Sequence, residues 1–490
     1  MIVDEFGRPI RSASKENAIA ELKATAERSL KAAYDAAQTT DEDSRHWRFA
    51  DDLSAAAANS LAVRKVLRRR SRYECLQSNS FCKGMVTTLA NDFVSTGPRL
   101  QIQLEDRELA HRIESGFHRW AKQVRLYKKL RTARLSKCVD GEAFLVAITN
   151  PRVRGPVQLD IRGIEADQIS TPGWIDGSSS SAVDGIRFDK STGDPIEYHL
   201  LRDHPGERGM MISQYEKRDI DPTDVIHLFN VDRPGQCRGV PELTPSLPLI
   251  PFVRRYTLAT VAAAEIAANY AAVLKTQTGF FSDDDAEVFK PYSAVEIERG
   301  MMAALPYGYE LQQLKAEQPT ANFAEFRASL LMEIARPIHM PRNKVLGDSS
   351  GYNFSSAKMD DQIYYHSIDI ERGDWDVDAL DRIFEWWLDE ALFVPGFLDL
   401  PQMDYVPRVW TWPKPKSVQP LQDAKATTHL IESGLLLEET YLHSQQVDPD
   451  TFYAARAEQA ERRAALQRIA NDARQLARPT SADIPNRIAA

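Results

Sequence analysis

The sequence predicts an α+β fold that is mainly helical, and three observations carry this. Long stretches with helical periodicity occupy residues 60–93, 106–138, 252–275 and 355–392 and the C-terminal region. Short runs of β character are confined to residues 140–229, apart from one strand near residue 100. Apolar residues make up 43% and charged residues 27% of the 490 positions, so a packed core can form and wholesale disorder is excluded.

Residues 15–60 are Ala-rich and helical in pattern but lack a strong apolar stripe, as expected of an arm that needs a partner. From Ser60 to Phe93 the periodicity is helical until Gly97-Pro98 stops it, and Arg99 to Leu104 alternates like a strand. Asp106 to Cys138 reads as one basic helical stretch with Arg112, Arg119, Lys122, Arg125, Lys128, Lys129, Arg131, Arg134 and Lys137, more often a solvated or subunit-bridging face than one that meets phosphates. Ala143 to Ile148, Val157 to Ile161, Gly185 to Phe188, Pro195 to Leu201 and Val225 to Phe229 are the strand candidates. Asp189 to Asp194 is placed as a hairpin loop.

After a Pro-studded approach, Phe252 to Lys275 is the clearest helix of the chain. Alanines at 259, 262, 263, 264, 267, 268, 271 and 272 make it thin, which suits either a buried core helix or close packing against copies of itself. Thr278 to Gln318 is a mixed insertion bearing Asp283, Asp284, Asp285 and Glu287. Phe323 to Arg336 is a second helix ended by Pro337, and Pro341 to Phe354 is a Gly/Ser/Asn loop. Ser355 to Leu392 is a long acidic helix, kinked at Gly373, whose carboxylates read as a solvated face. Helices at Leu421–Ser433, Glu438–His443 and Asp450–Leu476 complete the chain.

Several chemistries are excluded or disfavoured. There is no GxxxxGK[ST] loop for an ATP-driven motor, no HExxH, and no Cys/His cluster with ligand spacing around His199, His204 or His227. Cys75, Cys82, Cys138 and Cys237 form no CxxC pair and are expected to be reduced and mostly buried. Gly347-Asp348-Ser349-Ser350-Gly351 matches G-x-S-x-G, but polar, Pro-broken sequence stands where a nucleophile elbow needs a buried strand. No catalytic, cofactor or metal residue is assigned. The N-terminus lacks a secretory pattern and Leu258 to Leu274 is a poor membrane span, so a soluble protein of a reducing compartment with no membrane partner is expected. The net charge of -9 disfavours tight coating of DNA.

The order of motifs is more specific than any one of them. Leu67-Arg68-Arg69-Arg70-Ser71-Arg72 is followed by Asn79, by Val94-Ser95-Thr96-Gly97 and by Asp140-Gly141-Glu142-Ala143-Phe144. Gly193-Asp194-Pro195-Ile196-Glu197-Tyr198 comes next, then His227-Leu228-Phe229. The last is Arg233-Pro234-Gly235-Gln236-Cys237-Arg238-Gly239-Val240-Pro241, running into the Ala-rich helix. In this order the chain resembles the lambda-type family of tailed-bacteriophage portal proteins from about Leu67 to Leu466.

The resemblance implies a portal fold assembled as a homo-oligomeric ring, usually a dodecamer, at one capsid vertex of a virion assembled in the host cytoplasm. It implies an N-terminal helical arm (1–60), an α+β wing (61–251), a first stem helix (252–276), a small α/β clip (277–320) and a second stem helix (321–338). The wing then resumes (339–415) with a tunnel loop (344–354) and a long helix, and residues 416–490 form a helical crown. Lys344, Ser349, Ser350, Tyr352, Asn353 and Lys358 would meet double-stranded DNA without reading its sequence. Ala259, Ala263, Ala267 and Ala271 would pack the stem, and Asp283, Asp284, Asp285 and Glu287 would dock partners at the clip. The implied partners are the terminase large subunit, the major capsid and scaffold proteins, and a head-tail connector or adaptor protein. Two readings from other classes stand beside it: a serine hydrolase using Ser349, and a structural scaffold that does not meet DNA.

Overall fold

In a computed structural model, the described residues are 45–50, 52–170, 182–189, 191–207, 217–269, 273–276, 309–312, 322–351, 353–398, 405–415 and 419–476. The chain divides into two units, Met1–Ala58 and Asn59–Ala490. The described part of the first holds a 3-10 turn, Trp47–Phe49, and a single helical turn, Ala55–Ala58.

The second unit opens with α1 (Leu61–Arg72), which runs into a π-helical turn at Tyr73–Ser78, and α2 (Ser80–Val94). Asn79 starts α2 because its side-chain oxygen accepts from the backbone N–H groups of Phe81 (3.0 Å) and Cys82 (3.1 Å), a cap that contributes about 1 kcal/mol. Strand β1 (Arg99–Ile102) follows, then α3 (Arg107–Gln123), capped by Asp106 on the Leu109 N–H. Along α3, Leu109, Ile113, Phe117 and Trp120 are buried at spacings of three and four, which places them on one face.

The basic stretch is two helices rather than one. It breaks at Arg125 (φ 56°) and resumes as α4 (Leu126–Asp140). Val124 and Leu126 are both buried on either side of that residue, so the chain turns to bury both, and no Gly or Pro announces the turn.

Next come β2 (Glu142–Thr149), β3 (Leu159–Ile164), β4 (Ala182–Val183), β5 (Ile186–Phe188), β6 (Pro195–Leu201), β7 (Lys217–Ile220) and β8 (Val225–Phe229). They form a three-stranded antiparallel sheet, β3-β2-β8, and a four-stranded antiparallel sheet, β4-β5-β6-β7. The Ile169–Leu200 bridge ties the second sheet to the chain leaving β3. Two glycines let the turn after α4 meet the chain before the next helix. Gly141 sits at φ 90°, where an added Cβ would lie 2.2 Å from the Val240 backbone carbon, and one on Gly239 would lie 2.1 Å from the Gly141 carbonyl oxygen.

The Ala-rich helix α5 spans Ile250–Asn269, shorter than the periodicity predicts. Val273–Thr276 is instead strand β9, paired antiparallel with β10 (Tyr309–Gln312). The β-branched Val273 and Thr276 favour a paired strand once the alanines end, and that partner lies far away in sequence. Then follow α6 (Phe323–Ala335), which Arg336–Ile338 closes with a 3-10 turn, the short α7 (Arg342–Leu346), and α8 (Phe354–Trp375). The long acidic helix continues as α9 (Arg382–Leu392), but its irregularity is a π-helical turn at Asp376–Asp381 and not at Gly373, which stays helical. Strand β11 (Arg408–Thr411) pairs antiparallel with β1, and α10 (Pro420–Glu432), α11 (Glu438–Ser444) and α12 (Pro449–Leu476) end the described chain.

The main core lies where α2, α3, α4, α8 and α9 meet the β1-β11 ribbon. Phe117 is its aromatic centre, with ring centroids 5.3 Å from Trp120, 5.5 Å from Trp387, 5.7 Å from Phe384 and 5.6 Å from Trp410. A smaller core of Phe144, Ile164, Ile186, Tyr198 and Val225 fills the space between the two larger sheets.

Candidate functional site

The helical period places Arg64, Arg68 and Arg72 on one face of α1, four residues apart, and this face turns inward. Arg64 reaches Asp184 (2.5 Å). Arg68 bonds Glu142, Asp167 (3.0 Å) and the Asp140 carbonyl (3.1 Å), while Arg72 holds Asp140 (2.5 Å) and Asp167 (2.7 Å). Glu142 is fully buried at the start of β2. Its carboxylate also accepts from Arg238 Nε (2.8 Å) and Nη2 (2.6 Å), from His227 Nε2 (3.0 Å) and from the Gly239 N–H (3.3 Å). Arg238 spends its remaining donors on the carbonyls of Ala166, Ile169 and Asp184. A buried carboxylate is costly unless every lone pair is met, and here the donors converge on it. Burial raises the Glu142 pKa, but the charge of Arg238, the His227 hydrogen bond and Arg68 outweigh it and hold the carboxyl well below its usual range. Burial lowers the His227 pKa, so its ring is neutral, and it is stacked between Phe144 (4.2 Å) and Phe229 (4.3 Å).

Every residue of this knot except Arg64, Asp167 and Asp184 lies in a motif that carries the resemblance, so those short motifs are distant contributions to one buried charge cluster. Ligand spacing around the histidines is absent from the sequence. Folding nevertheless sets His199 beside Asp219 (2.6 Å), near Glu197, which Arg187 holds (2.8 Å), and sets His204 beside Glu165 (3.1 Å), which Arg72 also reaches (3.7 Å).

A second cluster corrects two expectations. Arg134 and Lys137 of the basic stretch are buried and bind Glu371 of α8 at 3.0 and 2.7 Å, and Arg134 also holds Glu242. These two cations therefore cross-brace α4 and α8 and do not face phosphates, and Glu371 is not part of a solvated acidic face. Lys129 pairs with Asp160, whereas Arg112, Arg119, Lys122, Arg125 and Lys128 remain exposed.

Helices α5 and α6 pack side by side, with Tyr256 against Phe323 (5.5 Å) and Phe326 (5.2 Å). Ala259 is exposed and Ala263 half-buried. Ala267 lies on the helix with its side chain outside the described residues, and Ala271 lies outside them altogether. Phe252 (56%), Leu258 (59%) and Val261 (50%) of α5 are left open. Asp283, Asp284, Asp285 and Glu287 fall outside the described residues.

The Gly/Ser loop is shorter than its sequence limits, because Lys344 belongs to α7. Its ammonium binds Asp92 (2.8 Å) and the Tyr365 hydroxyl (3.3 Å) and lies over the rings of Tyr364 and Tyr365 (5.1 and 5.0 Å). Burial lowers its pKa, but the Asp92 hydrogen bond and charge raise it further, so Lys344 is a fixed internal cation rather than a mobile loop lysine. The loop proper turns on Gly347 (φ 63°) and Gly351 (φ 80°). Asp348 accepts from the Ser350 N–H (2.8 Å) and hydroxyl (2.9 Å), and Asn353 caps α8 on the Ser356 N–H (3.0 Å). Ser349 is exposed with no hydrogen bond to a histidine among the described residues, Lys358 is exposed in the first turns of α8, and Tyr352 lies outside the described residues.

Among solved structures, the chain is similar to one described as the neck of an empty GTA particle computed with C6 symmetry. The TM-score is 0.44 at 13% identity, over 81% of this chain and 98% of that one. It is also similar to one described as the neck of a native GTA particle computed with C12 symmetry, at TM-score 0.42 and 13% identity over 80% and 95% of the two chains. A probable portal protein of Halomonas phage phiHAP-1 is 27% identical over 343 residues, 64% of this chain, and the match spans 61% of that protein's length. The family model described as "Phage portal protein, lambda family" matches residues 41–369, which include the arginine face of α1, Glu142, His227, Arg238, both helices of the α5–α6 pair and the Gly/Ser loop. With two-thirds of its length covered by that match, this chain belongs to the lambda family of phage portal proteins.

Proposed function

We propose that this chain is one subunit of a portal ring of about twelve copies, set at one capsid vertex as the conduit for double-stranded DNA during packaging and ejection. In this reading the ring nucleates capsid assembly, docks the terminase motor during filling and later holds the head-tail connector. The observation that carries it is the α5–α6 pair in a chain of this family. Its Ala-rich helix leaves Phe252, Leu258, Val261 and Ala259 uncovered, the condition expected of a face that neighbouring subunits close. The alanines keep that helix thin, so copies can approach closely around an axis.

The chain's role toward DNA is guidance without chemistry. Net negative walls repel the duplex, and an exposed lysine ring steadies it through phosphate contacts that carry no sequence information and weaken with salt. Lys358, exposed beside the Ser349-Ser350 turn, is the guide, and Lys344 is excluded from it by its Asp92 pairing. The Asp283–Glu287 acids serve as the docking face of the clip.

Negative-stain microscopy of the purified chain tests the reading. A closed ring with an axial hole supports it, and a monomer or small oligomer at micromolar concentration overturns it. Replacing Lys358 with Ala is expected to change packaging or DNA retention at low salt, whereas Lys344→Met leaves that salt dependence unchanged. Equal behaviour of the two variants removes the guiding role from Lys358.

A further inference from the structure

Two helices in the second unit bury one face and leave an apolar stripe on the other. On α8 and its π-helical extension, Met359 (66% exposed), Ile363 (59%), Ile370 (58%) and Val377 (65%) line up with exposed His366 and Gly373 at alternating spacings of four and three. That is the pattern of a helix-packing seam and not of a solvated face. The opposite side of the same helix holds Tyr364, Ile368 and Trp375 in the core, so the stripe faces away from this chain's own interior. Its flanks are acidic: Asp369, Asp374 and Asp378 are all exposed.

The stripe on α1 has the opposite charge. Val63 (43%) and Val66 (40%) of α1 are exposed, and Tyr73 (50%) and Leu76 (37%) of the π-helical turn that follows continue the line, while Arg64 and Arg68 point inward. Lys65 and Arg69 flank it and Arg70 stands in the line between Val66 and Tyr73, all three exposed and without an ion-pair partner among the described residues. At about 1.5 Å per residue, the α1 stripe is roughly 20 Å long and the α8 stripe roughly 27 Å, so one can lie along the other.

We propose that the basic-apolar stripe of α1 in one copy docks on the acidic-apolar stripe of α8 in the next, as the head-to-tail contact between neighbouring subunits. This rests on the ring reading above and names the surfaces that would build it. Two different patches on each chain make a heterologous contact, which repeats around an axis until it closes. Charge complementarity selects the partner, because α1 against α1 sets Arg69 and Arg70 against their own kind, and α8 against α8 opposes carboxylates. Four exposed apolar side chains beside these cations favour a protein occupant over a phosphate backbone, since phosphate contacts need no such stripe.

The test is a charge exchange in the full chain. One variant carries Arg69→Glu and Arg70→Glu, and the other carries Asp374→Lys and Asp378→Lys. Each alone sets like charges across the contact, and its ring fraction by mass photometry and negative stain is expected to fall at least about tenfold at low salt, with the far-UV spectrum unchanged. Mixing the two restores complementary charge at every contact of an alternating ring, so rings return, a rescue that misfolding of either variant cannot produce. Normal rings from either variant alone overturn the pairing, as does failure of two well-folded variants to assemble when mixed. In both cases wild-type rings leave the portal reading standing. If the Arg69→Glu, Arg70→Glu variant assembles normally but holds a DNA duplex less well, the α1 stripe is a nucleic-acid face and the proposal is wrong. A wild-type chain that forms no ring overturns both.

Discussion

Replacing Glu142 with Gln removes one charge from the centre of the buried knot while keeping nearly the same volume. In the native chain Arg68 and Arg238, each 1% exposed, share this carboxylate with the neutral His227. The amide keeps one oxygen acceptor but turns an NH2 group toward a guanidinium, so at least one buried Arg donor loses its acceptor. Removing one partner of a buried, hydrogen-bonded ion pair costs about 3–5 kcal/mol. With a urea m-value of about 2–3 kcal/mol/M, the unfolding midpoint is expected to drop by about 1–2.5 M at pH 7. The pH dependence carries the same sign. The folded carboxyl titrates below its unfolded value of about 4.3. Its stabilisation is therefore fully present above that pH and is lost as pH falls through the lower folded pKa. The variant should thus lose less stability than the native chain between neutral pH and pH 3. A double-mutant cycle with Arg68→Met should show coupling, the pair costing less than the sum of the two single changes. A midpoint for Glu142→Gln within error of the native one would refute the reasoning, because the knot would then contribute nothing net.

Three further outcomes follow from particular residues. Gly141→Ala should abolish soluble, folded protein or lower its unfolding midpoint by more than a surface Gly→Ala change does, because φ is 90° and the new methyl would collide with the Val240 backbone. In a thiol titration of the native chain only Cys237 should react on the minute timescale, with all four thiols reacting in denaturant. Cys75 is pushed up to about 11 by burial, and Cys82 and Cys138 are also buried and raised. Burial raises the Asp376 pKa to about 7, with Asp381 raising it and the Trp412 hydrogen bond opposing, so ionising it costs stability as pH climbs from about 4 to 7. Asp376→Asn, which keeps an acceptor for Trp412, should therefore raise the melting temperature at pH 8 and leave it unchanged at pH 4. An equal effect at both values would show that charge is not the cause.

Strands β6 and β8 and the C-terminal helices were legible within a residue or two, because hydrophobic period and flanking Pro or Gly are local signals. The end of α5 was not: Val273 joins a strand whose partner, Gln312, stands far along the chain. The break at Arg125 likewise depends on burying Val124 and Leu126 together, which no spacing rule records. At the candidate site the arginine period along α1 was visible in sequence, but its direction was not. A basic helix face reads the same whether solvent, phosphate or carboxylate lies opposite.

Sequence alone determined the Ala-rich thinness of α5, the Gly/Ser composition of the loop and, through motifs kept in order, the family resemblance. These properties reside in single residues or their near neighbours. Tertiary structure decided which charges are structural and which are free. Lys344, Arg134 and Lys137 are bound to Asp92 and Glu371 from distant segments, while Lys358, Arg69 and Arg70 stay open. The physical reason is that a side chain's charge does not encode its environment. Desolvation and the nearest counter-charge set its role, and both exist only once remote parts of the chain have packed together.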